Sequence, residues 1–203
     1  MKKYAVLHEP GDIVTLAGTR FVVLDVERRG SLPDSLFLLA LESVGASEFG
    51  SSNNYAESDL KKAVDKWLED MGKRGLDNAK LIPREIDLTT LDGSGCYGKL
   101  SVKAAPLTLD EAREYADIIP NAERWCWLAT GWSGPSKSDG DLALYVSSNG
   151  DWNGNYCSNS YGIRPALKIP SDLLLDSADK PDLSEVPTDT LLEEIRRRVV
   201  DKA

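Results

Sequence analysis

Three patterns in this 203-residue sequence bring together residue types that do chemistry. Gly93-Ser94-Gly95-Cys96-Tyr97-Gly98 has the spacing G-x-G-x-x-G. A dinucleotide site needs a strand before that motif and a helix after it, so that the pyrophosphate meets the helix N-terminus. Here Lys99-Leu100-Ser101-Val102-Lys103 alternates as a strand does and Pro106 follows, so a glycine-rich loop is expected. Cys96, Cys126 and Cys157 lie about thirty residues apart, with no C-x-x-C pair, and the single histidine, His8, is far from all of them in sequence. That spacing points to free thiols rather than to zinc ligation or a nucleophile with its base. Asn149-x-Asp151-x-Asn153-Gly154 opens like a calcium-binding loop, but its twelfth position, where a bidentate Glu belongs, is Ser160. No catalytic residue, metal ligand or cofactor is therefore expected.

One compositional anomaly remains. Four of the eight asparagines fall within residues 145–164, and 14 of those 20 residues are Asn, Ser, Gly or Tyr. An exposed polar hairpin and loop would have this composition for structural reasons alone. The same residue types also build adaptable binding surfaces, where aromatic rings give rigid contact area and amides and hydroxyls give hydrogen bonds. On that functional view the candidate ligand-binding residues are Tyr145, Ser147, Asn149, Asp151, Trp152, Asn153, Asn155, Tyr156, Ser158 and Asn159, with Trp132 and Tyr161 as further aromatic anchors.

The charge balance narrows the partners. With 33 acidic against 24 basic side chains the net charge is −9, which argues against a phosphate-binding surface and so against nucleic acid. No apolar run reaches the ~20 residues of a membrane span. The start, Met1 to Glu9, meets charge and then Pro10 before any signal-peptide core, so a protein used without secretion by that route is expected.

These residues need elements to hold them. Ile13–Leu16, Phe21–Val26 and Leu36–Leu41 are apolar, partly β-branched strand candidates. Leu60, Ala63, Val64, Trp67, Leu68 and Met71 recur at helical spacing, which predicts a helix over 57–71 capped by Ser58 and closed by Gly72. A second helix is predicted over about 109–119, with Thr108 and Glu111 at capping-box spacing and Pro120 at its end. Leu142, Leu144 and Val146 alternate with Ala143, Tyr145 and Ser147. Asn149-Gly150 then predicts a type I′ hairpin whose return limb starts at Asp151. Pro165 places the last strand, Ile163–Ile169, at an edge or gives it an irregular start.

The order of these segments is itself informative. Gly11-Asp12, Phe21–Val26, the helix through Leu60 to Leu68, Leu107-Thr108-Leu109-Asp110-Glu111-Ala112, Trp125-Cys126-Trp127-Leu128 and Tyr161-Gly162-Ile163-Arg164-Pro165-Ala166-Leu167 follow one another. Over about residues 10–170 this resembles an uncharacterised domain family of gut bacteria and their phages, whose endings are a Trp-Leu-Arg-Ser-like strand and a Gly-Val-Arg-Pro-Ala-Leu-like strand. Ala129-Thr130 stands here where Arg-Ser is usual. The layout is also similar to the C-type-lectin-like fold of formylglycine-generating-enzyme relatives, matched by Leu107–Glu111 and Trp152–Arg164. In the related variable proteins of diversity-generating retroelements, that last segment is the mutated, ligand-binding region. The oxidising enzymes' copper-binding cysteine pair is missing, since only Cys157 lies in the segment, and Gly154 replaces the Asp of the calcium lectins' Trp-Asn-Asp motif. The resemblance therefore carries neither oxidase chemistry nor calcium-dependent sugar binding.

The expected architecture is α+β, a C-type-lectin-like mixed fold with two helices, small antiparallel sheets and long loops over 1–170. A Pro- and Asp-rich linker at 171–187 and a short helical tail at 188–203 would follow. The tail helix, 188–200, is a candidate for homo-oligomerisation, packing back on its own domain being the alternative. The expected function is a non-catalytic recognition module for a protein or glycan on a host or cell surface. The resemblance implies a phage or prophage variable protein, made in the cytoplasm and carried on a virion. The alternatives are an enzyme on the same scaffold and a structural virion or assembly protein.

Overall fold

The structure, a computed structural model, describes residues 2–4, 8–29 and 32–177. Over the described residues the chain is α+β, with two α-helices and three mostly antiparallel sheets. In order it forms β1 (Lys2–Tyr4), β2 (Ile13–Leu16), β3 (Thr19–Arg29), β4 (Leu32–Ala40), β5 (Ala46–Glu48), α1 (Asp59–Lys73), β6 (Arg84–Asp87), β7 (Lys99–Val102) and β8 (Ala104–Ala105). There follow α2 (Leu109–Glu114), β9 (Cys126–Gly131), β10 (Leu142–Val146), β11 (Trp152–Tyr156), β12 (Ser160–Gly162), β13 (Ala166–Pro170) and β14 (Leu174–Ser177). A seven-stranded sheet runs β1-β14-β2-β3-β4-β13-β8, a five-stranded sheet runs β11-β10-β9-β12-β5, and β6 pairs with β7.

Phe21-Val22-Val23-Leu24 and Leu36-Phe37-Leu38-Leu39 are continuously apolar because both faces of the large sheet are covered. Phe21, Val23, Leu36 and Leu38 join one core with Leu60, Val64, Trp67 and Met71 of α1. Val22, Leu24, Phe37 and Leu39 join a second with Leu107, Leu109, Ala112, Leu128 and Leu144. The helical stripe predicted from sequence is thus the buried face of α1, and Ser58 caps it, its Oγ accepting the Lys61 N–H at 2.9 Å. The helix ends later than expected. Gly72 stays inside it, and Gly75, at φ +102°, supplies the left-handed residue that turns the chain.

The second helix is shorter than predicted. Its capping box is present, with Glu111 N–H donating to Thr108 Oγ1 and Thr108 N–H donating to Glu111 Oε2. After Glu114 the chain goes on only as turns, with the Ile118 and Ile119 N–H groups both donating to Tyr115 O. The other oxygen of Glu111 accepts from Nη1 of buried Arg84, which reaches across from β6.

Two further expectations are narrowed. Of the two alternatives for Pro165, the edge position does not hold, since β13 lies between β4 and β8. Pro165 precedes the first paired residue, so its missing N–H is never required, while its carbonyl accepts the Ala40 N–H at 2.9 Å. The large sheet also continues past residue 170, because β14 pairs with both β1 and β2. The linker beyond Ser177 and the helix expected at 188–200 lie outside the described residues. No described helix is long and apolar enough to cross a membrane.

Candidate recognition face

The β10–β11 hairpin holds most of the candidate residues. Its register pairs Val146 with Trp152, Tyr145 with Asn153, Leu144 with Gly154, Ala143 with Asn155 and Leu142 with Tyr156. The turn is not type I′. Gly150 N–H donates to Ser147 O at 3.1 Å and only Gly150, at φ +90°, takes a positive φ there. A Ser147–Gly150 turn with one left-handed glycine closes the hairpin instead, and this needs one special residue where type I′ needs two.

Side chains alternate across a strand, so the ten candidates do not share one face. Asn153 and Asn155 lie on the side of Tyr145, while Trp152 and Tyr156 lie on the side of Val146, towards α2. Gly154 is on that second side as well, and the Trp132 ring rests on it. A Cβ there would stand 2.3 Å from Trp132 Cε3.

Most of the polar candidates are bound to one another. In the turn, Ser147 Oγ donates to Asn149 Oδ1, Asn149 Nδ2 donates to Asp151 Oδ2 at 2.6 Å, and Asp151 N–H donates to Ser147 Oγ at 3.1 Å. Asn155 Nδ2 donates to Tyr161 Oη at 2.6 Å, and Asn159 Nδ2 donates to Asn155 Oδ1 at 3.1 Å. Asn153 Oδ1 accepts the Gly154 N–H and Asn155 Oδ1 accepts the Tyr156 N–H, both at 2.8 Å. The asparagines thus shape the hairpin as well as decorate it. Asn149, Asp151, Trp152, Asn153, Tyr156 and Ser158 are exposed, Ser147, Asn155 and Asn159 are half-buried, and Tyr145 is buried.

Tyr145 belongs to an aromatic cluster that includes a residue absent from the sequence-derived set. Trp125, just before β9, stacks on Tyr145 with ring centroids 4.9 Å apart and planes 12° apart, and meets Tyr161 edge-on at 5.5 Å. Trp127 supports both tyrosines from below and donates its indole N–H to Ser47 O at 3.0 Å. Burial raises the Tyr145 hydroxyl above its ordinary pKa, with the neighbouring Tyr161 adding to the shift. Trp125 is 42% exposed. It borders an open groove of about 500 Å³ shared with Glu123, Arg124, Ser148, Ser160, Tyr161 and Gly162. The Trp125-Cys126-Trp127 spacing was the available signal, because two tryptophans two apart on a strand share a face.

The other expected chemistry can be located too. The segment Gly93–Gly98 is a loop between β6 and β7, with Gly93 and Gly98 at positive φ and no helix after it. Burial pushes the Cys126 thiol up to about 11 and the Cys157 thiol up to about 12, while Cys96 is exposed. His8 is buried and contacts Asp12 through Nδ1 at 3.2 Å. Among the described residues, no cluster of three His, Cys, Asp or Glu side chains is placed to hold a metal ion. Comparisons with protein-family models, with curated proteins and with solved structures find no match to the chain.

Proposed function

We propose that the chain is a non-catalytic recognition module with a C-type-lectin-like fold. Its ligand, a protein or glycan on a host or cell surface, would bind the groove at Trp125 and the exposed side chains on the same side of the adjoining hairpin. The observation that carries this reading is the Trp125 ring, held in place by Tyr145 beneath it yet 42% exposed beside a polar-rimmed groove. A rigid aromatic surface rimmed by Ser148, Ser160, Glu123 and Arg124 offers stacking area with nearby donors and acceptors. The mixed architecture of two helices, small sheets and long loops supports the fold assignment. The raised thiol pKa values of Cys126 and Cys157 disfavour nucleophilic chemistry, since the thiolate is the reactive form.

The proposal extends to a phage or prophage variable protein. On that view Asn149, Asn153 and Ser158, whose side chains are exposed, are positions free to change, while buried Tyr145 keeps the scaffold. Binding of purified protein to a glycan array and to intact bacterial cells tests the recognition role. Trp125→Ala is expected to abolish binding found for the wild type without unfolding the chain. Wild-type affinity in that variant would remove the groove from the proposal. A neighbouring reverse transcriptase gene with a template repeat matching codons 145–164 is the expected genomic setting, and its absence would remove the variable-protein role.

A further inference from the structure

The opposite side of the same hairpin covers a second, separate cavity. It measures about 100 Å³ and is walled by Leu107, Ala112, Ile119, Leu128, Val146 and Trp152. One charged group joins this apolar lining, Arg164, which is only 7% exposed. Arg164 Nε donates to Ala40 O at 2.7 Å and Nη1 donates to Pro120 O at 2.9 Å. Nη2 is buried with no hydrogen-bond partner. Both acceptors are neutral carbonyls, and none of the ion pairs among the described residues includes Arg164.

Glu42 acts on Arg164 only through space, with no ion-pair contact between them, and the buried Nη2 donor without an acceptor is costly. That cost is removed by an anion with an acceptor oxygen. Apart from Asn121 and the Cys126 thiol the rest of the wall is apolar, and a cavity of this size takes a body of about four or five carbons, somewhat below the benzene held by a ~150 Å³ cavity. A second cation stands at the Trp152 side, with the Arg113 guanidinium 5.7 Å from the indole centroid. Its charge is shared with Asp110 at 3.4 Å.

We propose that this cavity is a binding site for a small monocarboxylate, its carboxylate on Arg164 and its hydrocarbon part against Leu107, Leu128 and Val146. The site lies across the sheet from the Trp125 groove and does not depend on the recognition role proposed above.

The test is a titration of the full chain with isovalerate and with its neutral isostere isovaleramide, followed by calorimetry and by the indole resonances of Trp152 and Trp125. Saturable isovalerate binding that shifts Trp152 and leaves Trp125 in place is expected, with isovaleramide at least tenfold weaker. Ala116 is exposed on the cavity lining, so Ala116→Trp should obstruct the mouth and weaken binding at least tenfold at an unchanged unfolding midpoint. Equal affinity for acid and amide would reduce the site to an apolar cleft and overturn the proposal. So would no binding of either compound, a shift at Trp125 alone, or full affinity in Ala116→Trp.

Discussion

The side-chain oxygen of Asn153 accepts the backbone N–H of Gly154 at 2.8 Å, on the outermost strand of the five-stranded sheet. Ser147 N–H to Asp151 O and Cys157 N–H to Asp141 O fix which residues of β11 bond inward. Counting between them, residues 153 and 155 face β10, while Gly154 and Tyr156 direct their N–H groups to the open edge. Asn155 covers Tyr156 in the same way at 2.8 Å. Exposed strand edges invite pairing with other chains, and here the preceding side chain occupies the donors of Gly154 and Tyr156.

The double variant Asn153→Ala, Asn155→Ala is therefore expected to exchange the Gly154 and Tyr156 amide protons several-fold faster and to self-associate at high concentration. Amide exchange by NMR and sedimentation velocity check this. Unchanged exchange at both positions would show that the asparagines do not shield the edge.

Gly154 is constrained by its neighbour rather than by its backbone. Because the Trp132 ring would stand 2.3 Å from an added Cβ, Gly154→Ala must displace that ring. A loss of about 1–3 kcal/mol in urea unfolding is expected, in the range of overpacked cores.

Trp67 sits at the centre of the α1 face, 6.4 Å from Phe21 between ring centroids and 8% exposed. Trp67→Ala is expected to lower stability by about 3–5 kcal/mol, measured by denaturant unfolding. A near-neutral midpoint would mean that α1 contributes little to the larger core.

Only one thiol should react in the native protein. Cys96 is exposed, whereas burial of Cys126 and Cys157 raises their pKa values to about 11 and about 12. Alkylation at pH 8 should modify Cys96 quickly and the other two only after unfolding, as intact-mass spectrometry would show.

A last prediction concerns acid. The Lys137 ammonium, followed by the Thr90 hydroxyl, holds the Asp92 carboxyl down to about 2, against an ordinary value of 3.8. Lys137 reaches Asp92 at 2.6 Å and ties the glycine-rich loop to the segment after β9. A carboxyl depressed on folding contributes stability above its ordinary value and loses that contribution as pH falls through 3.8 towards 2. In Lys137→Ala the Asp92 titration, followed by NMR, should move up towards 3.8.

Much of the scaffold was legible because its signals are local. The α1 stripe, the Thr108–Glu111 box and the apolar runs of β3 and β4 each reflect a period or a pairwise spacing within a few residues. Strand order was not legible, because the place of β13 between β4 and β8 is set by contacts from about sixty to more than a hundred residues apart. The hairpin was visible at Asn149-Gly150, yet its turn type was not, since one or two left-handed residues suit the same dipeptide. Trp125 escaped notice as a site residue because its partners Tyr145 and Tyr161 come from strands brought beside it only by folding. Ranking the candidates needed the register, which separates Asn153 from Trp152 although they are adjacent in sequence.

That separation has a consequence for how the hairpin can change. Trp152 borders the cavity at Arg164, while Asn153 lies on the side of the Trp125 cluster. A substitution at either position edits one surface and leaves the other as it was. Adding or deleting a single residue between Val146 and Trp152 would exchange the two sets, sending the indole to one side and the amide to the other. The segment can therefore vary in kind but not in number, and homologous hairpins should differ in their letters while keeping their length.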